Sequence, residues 1–212
     1  MDKYETILMD CDGVILDSNK IKSEAFYQIA LDFGHKNASR LVSINKEYGG
    51  ISRFKKISMF VNNVLKIDDN FLIEKLVKKF GDICVSKLIN SNFTPNLIDF
   101  LKSIKHKSCF VVSGGYQPEL RFIFEEKGLT KYFNGIYGSP ETKKDIAEML
   151  RDDILIASPC VFIGDSKSDY LAAKVIEADF IFMTEFTEFK EYKKFFKDKE
   201  IISVKNLGDI SF

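Results

Sequence analysis

The 212-residue sequence predicts an α/β protein, a parallel sheet flanked by helices with a helical segment inserted after its first strand. Three observations carry this. The run Ile7-Leu8-Met9 is apolar without alternation, as expected of a strand covered on both faces. From Phe93 onward, short apolar runs alternate with helical periodicity across short connections, the arrangement of a parallel sheet with right-handed crossovers. Between these, residues 18 to 89 carry helical periodicity without a convincing strand. That stretch is too long for one crossover and the right size for a small helical subdomain.

Composition narrows the function classes. The chain is 45% hydrophobic and 29% charged, ordinary for a soluble globular protein, and 20 phenylalanines supply ample core. Lys and Arg number 31 and are balanced by 31 acids, so no extended basic face for nucleic acid is evident. The apolar runs are far short of a membrane span. Met1-Asp2-Lys3-Tyr4-Glu5 has no signal-peptide pattern, so a cytoplasmic location is expected. Cys11, Cys84, Cys109 and Cys160 form no C-x-x-C pair, so neither zinc nor disulfides are indicated; Cys109 and Cys160 lie in strand-like runs, as buried free thiols. His35 and His106 are isolated and read as loop or helix-end residues.

The elements follow in order. After Asp12, a helix carries Ile21, Ala25, Ile29 and Phe33 at four-residue spacing and stops at Gly34. Arg53 to Lys66 repeats the periodicity, and Phe71 to Leu88 gives a longer stripe. Thr94-Pro95 opens a helix through Ile104, and the strand Cys109 to Val112 ends in Ser113-Gly114-Gly115. A helix from Gln117 to Lys127 is closed by Gly128; a short strand, Gly135 to Tyr137, turns at Gly138-Ser139-Pro140. A helix from about Thr142 to Arg151, the strand Val161 to Ile163, a helix around Leu171 to Ile176 and the strand Phe180 to Phe182 complete the alternation. In the tail, Phe186, Phe189, Tyr192, Phe195 and Phe196 form an aromatic stripe; the neighbouring Glu185, Glu188 and Glu191 argue for packing on the core over a membrane surface, and Ile201 to Val204 reads as an edge strand.

Four strands each lead to a polar group suited to phosphate chemistry: Asp10 and Asp12 after the first, Ser113 with Gly114 and Gly115 after the second, Lys143 after the third, and Gly164-Asp165-Ser166-Lys167-Ser168-Asp169 after the fourth. In a parallel sheet these ends share one edge, where ligands bind. Two acids one residue apart repel unless a cation lies near, and a divalent ion is the obvious candidate. Asp10 suits a nucleophile forming an aspartyl-phosphate, and Asp12 a general acid and base. Asp10, Asp165 and a main-chain carbonyl, that of Asp12, would give an oxygen-rich Mg²⁺ site. Asp169, one helical turn from Asp165, would orient Lys143 or a metal-bound water. Ser113 and the Gly114 amide would bind phosphoryl oxygens, and Lys143 would screen Asp10 from the incoming anion. Lys144 competes for that last role, but Thr142 as cap with Asp145 three residues on favours Lys143. Each piece alone is also an ordinary turn, cap or solvated lysine.

Asp10-Cys11-Asp12-Gly13-Val14, then Ser113, Lys143 and Gly164-Asp165-Ser166-x-x-Asp169, resemble the four ordered motifs of the haloacid dehalogenase superfamily. The resemblance spans the whole chain, and the insertion matches the helical cap of subclass I members. It implies a Rossmann-like core over residues 1–17 and 90–212, a mobile cap over 18–89, Mg²⁺ dependence, and phosphoryl transfer through Asp10. Asp12 separates subgroups. Members resembling dehalogenases or phosphonoacetaldehyde hydrolase lack this acid, so it argues for a phosphatase or a phosphomutase. In sugar phosphomutases of the β-phosphoglucomutase type a histidine usually follows at the cap hinge; here Lys20, Ile21 or Lys22 takes that place.

The expectation is a Mg²⁺-dependent phosphatase acting on a small phosphorylated metabolite, for which a sugar phosphate is one candidate, with no nucleic-acid or membrane partner, as a monomer or weak homodimer. The alternatives are a phosphomutase and a non-catalytic phosphate-binding domain. The cap should close over the leaving group and exclude water. Its loop Lys46-Glu47-Tyr48-Gly49-Gly50-Ile51-Ser52-Arg53 resembles a substrate-specificity loop, and Tyr48 and Arg53 are the candidate leaving-group contacts.

Overall fold

A computed structural model describes residues 1–153 and 155–210. Six parallel strands form one sheet in the order β3-β2-β1-β4-β5-β6, with β1 Thr6–Met9, β2 Ser108–Tyr116, β3 Gly135–Ser139, β4 Cys160–Gly164, β5 Asp179–Met183 and β6 Ile202–Val204. The first strand is therefore central, covered by β2 and β4, which explains its unalternating apolar sequence. Ile7, Met9, Val111, Ile163 and Ile181 face one layer, with Leu97, Phe100, Leu120 and Phe124; Leu8, Phe110, Val112, Phe162 and Phe182 face the other, with Ile146, Leu150, Ala172 and Ala173.

Nine α-helices connect and cover the strands among the described residues. Four of them, α1 Asn19–Ala30, α2 His35–Glu47, α3 Arg53–Met59 and α4 Asn70–Ile89, lie between β1 and the helix α5 Leu97–Ser103. The remaining helices are α6 Gln117–Glu126, α7 Lys143–Asp152, α8 Lys167–Val175 and the short α9 Tyr192–Phe195. The helical insertion leaves and rejoins the sheet on two adjacent extended segments: Asp17 N–H donates to the Asn92 carbonyl at 3.0 Å and Thr94 N–H to that of Ile15 at 3.0 Å. Both ends of the insertion are thus tied at one point beside Asp12.

Several boundaries differ from the sequence reading for local reasons. The helix beginning at Arg53 is α only to Met59 and continues as a π-helix over Phe60–Leu65, ending at Lys66 with φ 60°. Residues 35–47 form a full helix that apolar spacing did not isolate, because Ala38, Leu41 and Ile44 are its buried apolar residues in a polar sequence. The strand through Cys109 does not stop at Val112. It runs through Ser113-Gly114-Gly115 to Tyr116, with a register shift against β3 between Val112 and Tyr116.

The aromatic tail packs on the core. Phe196 lies 4.9 Å from Phe182 and 5.4 Å from Tyr170, Tyr192 lies 5.1 Å from Phe182, and Phe189 lies 5.6 Å from Phe195. Phe182 is fully buried at the centre of this cluster. Phe182→Ala is expected to cost about 3–5 kcal/mol, read from urea unfolding; a loss below about 1 kcal/mol would show that the tail does not close the second layer.

Candidate active site

The central strand sets the site. Met9 pairs with Val111 and Ile163, and Asp10 N–H still bonds the Ile163 carbonyl at 2.9 Å, so Asp10 leaves the sheet at the middle of its carboxyl edge. Its Oδ1 accepts from Cys11 N–H at 2.7 Å and lies 2.7 Å from Lys143 Nζ. Lys143 is the first residue of α7. Thr142 fixes that start through a capping box, its hydroxyl accepting from Asp145 N–H while Asp145 accepts from Thr142 N–H. The box settles which of the two adjacent lysines turns inward: Lys143 is 3% exposed, and the Lys144 side chain reaches Glu148 on the surface.

Lys143 also meets Asp169 Oδ1 at 2.5 Å. The other Asp169 oxygen accepts from Ser166 N–H at 3.0 Å and Ser166 Oγ at 2.6 Å, capping α8. Both oxygens of Asp169 are therefore committed to the protein, and its part is to hold Lys143 and the helix start. Burial pulls Lys143 toward neutrality, but Asp10 and Asp169 hold it well above the usual lysine range.

Asp165, at the end of β4, is buried and has a different environment. Its Oδ2 accepts from Asn19 Nδ2 at 2.7 Å, and no Lys, Arg or His lies within ion-pair distance among the described residues. Burial pushes its carboxyl well up, and Asp10 and Asp169 add to the push. Burial and then Asp169 raise Asp10 to about 7, against the pull of Lys143. Ligand oxygens of Asp10, Asp165 and Asp169 all lie within 4.8 Å of one another. Gly13 (φ +76°) makes room for this cluster: a Cβ there would lie 2.3 Å from Asp165 Oδ2.

The Asp12 side chain turns toward the insertion. It accepts from Ser18 Oγ at 2.5 Å and is ion-paired with Lys22 of α1. Burial pushes Asp12 upward, but Lys22 and Ser18 outweigh it and hold the carboxyl below its usual range. Of Lys20, Ile21 and Lys22, it is Lys22 whose side chain reaches Asp12.

One cavity joins these groups. Asp10, Asp12, Lys143 and Asp165 line its floor with Gly114, and the insertion supplies Asn45, Gly50, Arg53 and Lys56. Ser113 is buried beside it, its hydroxyl accepting from Gly115 N–H at 3.1 Å, while Gly114 and Gly115 line the cavity itself. The loop before α3 rests on Gly114, where a Cβ would come 2.4 Å from the Gly50 carbonyl oxygen. The two expected cap contacts divide. Arg53 lines the cavity, but its guanidinium is held by Glu119 of α6 through two hydrogen bonds of 2.7 and 2.6 Å, between the rings of Phe80 and Tyr116. Tyr48 does not line the cavity: it follows the last residue of α2 and is 39% exposed. Asn19, Asn45 and Lys56 were not singled out in the sequence, because each looks like a routine helix-surface polar residue until the insertion is folded over the sheet.

A family model for haloacid dehalogenase-like hydrolases matches residues 4–176. The chain belongs to that family. A phosphoglycolate phosphatase from Vibrio cholerae is 26% identical over 189 residues, covering 82% of this chain and 81% of the relative. Among solved structures, β-phosphoglucomutase from Clostridium difficile superposes with a TM-score of 0.76 at 16% identity, covering 99% of this chain and 94% of that one. The haloacid dehalogenase-like hydrolase YfnB from Bacillus subtilis, bound to magnesium, superposes with a TM-score of 0.68 at 17% identity, covering 98% and 96%. The family and its phosphatase relatives agree on a phosphoric monoester hydrolase. No helix among the described residues is long and apolar enough to cross a membrane.

The raised acids have a consequence for stability. Asp10 and Asp165 titrate above the unfolded value of 3.8, so in the metal-free protein they favour folding when protonated. Their contribution is full below about pH 4 and is lost as pH rises toward the folded values, about 7 for Asp10. Urea unfolding in chelator should therefore show stability falling across that window, less steeply in Asp10→Asn. A stability that climbs from pH 4 to 7 in chelator would contradict the assignment.

Proposed function

We propose that this chain is a Mg²⁺-dependent phosphatase that hydrolyses a small phosphorylated metabolite through an aspartyl-phosphate on Asp10, beneath a helical cap formed by residues 18–89. The observation that carries the reading is the pairing of roles at the sheet edge: Asp10 braced by Lys143, and Asp165 buried with no cation of its own among the described residues. A buried carboxylate in that position is stable as an anion only beside a positive charge. Asp10 and Asp165, with the Asp12 main-chain carbonyl, would hold the Mg²⁺, whose charge would offset that of the phosphoryl group. A relative bound to magnesium supports the choice of ion.

The chain's own groups account for the rest. An Asp10 carboxylate oxygen attacks phosphorus in line as the ester oxygen leaves, and the leaving alkoxide takes a proton from Asp12. Water then attacks the phosphorus of the aspartyl-phosphate, the bond to Asp10 breaks, and Asp12 takes the proton from that water. Lys22 and Ser18 keep Asp12 in the ionised form this second step requires, and for the first step the carboxyl draws its proton from solvent or from the incoming ester. Gly114, with Ser113 behind it, offers the end of β2 at which phosphoryl oxygens would be bound, and Lys143 lowers the repulsion between Asp10 and the anionic ester. A sugar phosphomutase would use the same floor but return the phosphoryl group to a sugar, and it would yield an isomer with little free phosphate.

Phosphate release from a panel of phosphorylated metabolites, phosphoglycolate and hexose phosphates among them, tests the reading. Wild type should release phosphate with Mg²⁺ and not with chelator, and Asp10→Asn should fold and release none; full activity in Asp10→Asn would end the mechanism. Asp12→Ala should slow hydrolysis by about 10²–10⁴-fold, most for poor leaving groups. Equal slowing for every ester would remove its acid role.

A further inference from the structure

The charges lining the cavity pair off with two exceptions. Lys22 pairs with Asp12, Lys46 with Glu188, Arg53 with Glu119, and Lys143 with Asp10. Asp165 on the floor and Lys56 on the insertion have no ion-pair partner among the described residues. If Asp165 is the side that accepts a cation, Lys56 is the side that accepts an anion.

Lys56 is 6% exposed, and its Nζ donates to Asn45 Oδ1 at 2.7 Å. An ammonium has three donors, so two remain. The ring of Phe26 lies 5.5 Å from Nζ. The amine is held in place by a relay: Asn45 Nδ2 donates to Ser23 Oγ at 3.1 Å, and Ser23 Oγ donates to Glu188 Oε2 at 2.7 Å. Glu188, the acid at the far end, is paired with Lys46. The relay fixes the amine without neutralising it. Burial, then Lys22 and Lys143, lower its pKa to about 7, so a free site holds this charge poorly and an anion beside it would restore it.

We propose that Lys56 is a specificity-determining residue that binds a second anionic group, a carboxylate or phosphate, on the leaving-group side of the substrate. The preferred substrate class is then a phosphate monoester whose alcohol portion is itself an anion. This rests on the phosphatase reading for the word substrate, but the subsite can be measured without turnover. Arg53, which with Tyr48 was the candidate offered by the loop's resemblance to a specificity loop, is held by Glu119, and Lys56 is the cavity cation left without an acid among the described residues.

The test is calorimetric binding, with Mg²⁺, of ω-phosphonoalkanoates having two, three or four methylenes, each against its terminal amide. These probes are inert to hydrolysis. At one or more lengths, wild type should bind the acid about 10- to 100-fold more tightly than the amide. Lys56→Met should reduce that ratio to near one, and Lys56→Arg should keep most of it. Lys56→Gln, which retains a donor for Asn45 without the charge, serves in place of Lys56→Met should that variant fail to fold. Equal binding of acid and amide by wild type at every length, or an undiminished preference in a folded variant without the charge, overturns the proposal. Failure of the phosphatase reading has a different signature: no ester releases phosphate, whatever the binding ratio.

Discussion

Lys143, wedged between Asp10 and Asp169 below the sheet's carboxyl edge, is the interaction on which the rest of the site depends. Three carboxylates are gathered there out of water, and without a cation among them the arrangement would be strongly self-repelling. Removing one member of such a buried set typically costs about 3–5 kcal/mol, because the charges left behind are uncompensated. The capping boxes at Thr142 and Ser166 make the arrangement possible by fixing the starts of two helices so that Lys143 and Asp169 point at each other. Local chain chemistry of an ordinary kind thus places the charge pair that the site is built on.

The insertion is held to this floor by polar contacts. Asn19 reaches Asp165, Lys22 reaches Asp12, and Arg53 grips Glu119. Gly50 lies against Gly114 at a distance no side chain would allow. The wall above the acids is therefore rich in cations. Most of them are already paired with acids of the cavity, and this is what singles out Lys56.

Much of this was legible in the sequence, and the reason is positional. β1 is central, so its residues must be apolar throughout, and its end must be where the site lies; Asp10 and Asp12 stand there, and the polar groups after the other three strands set them apart from an ordinary turn. Lys143 was legible because Thr142 and Asp145 frame the helix start beside it, and Asp169 because it lies one helical turn from Asp165; both are short-range rules. Contacts made across the cavity were not. Asn45 and Lys56 sit on helices whose local spacing says only that they are polar, and Tyr48 looked suitable because aromatic and glycine residues crowd its loop, yet it is exposed beyond the end of α2. Whether Arg53 was free or paired depended on Glu119, which is distant in sequence. The extent of β2 was hidden too, since Ser113-Gly114-Gly115 looks like a turn but continues as a strand.

In the proposed reaction Asp10 carries the phosphoryl group during turnover. The most direct measurement is to quench the protein in acid while it turns over a ³²P-labelled ester, reduce the trapped acyl phosphate with borohydride, and map the modified residue by mass spectrometry. Label on the quenched protein and conversion of Asp10 to homoserine are expected. Sustained phosphate release with no labelled protein, or modification at another residue, would contradict it.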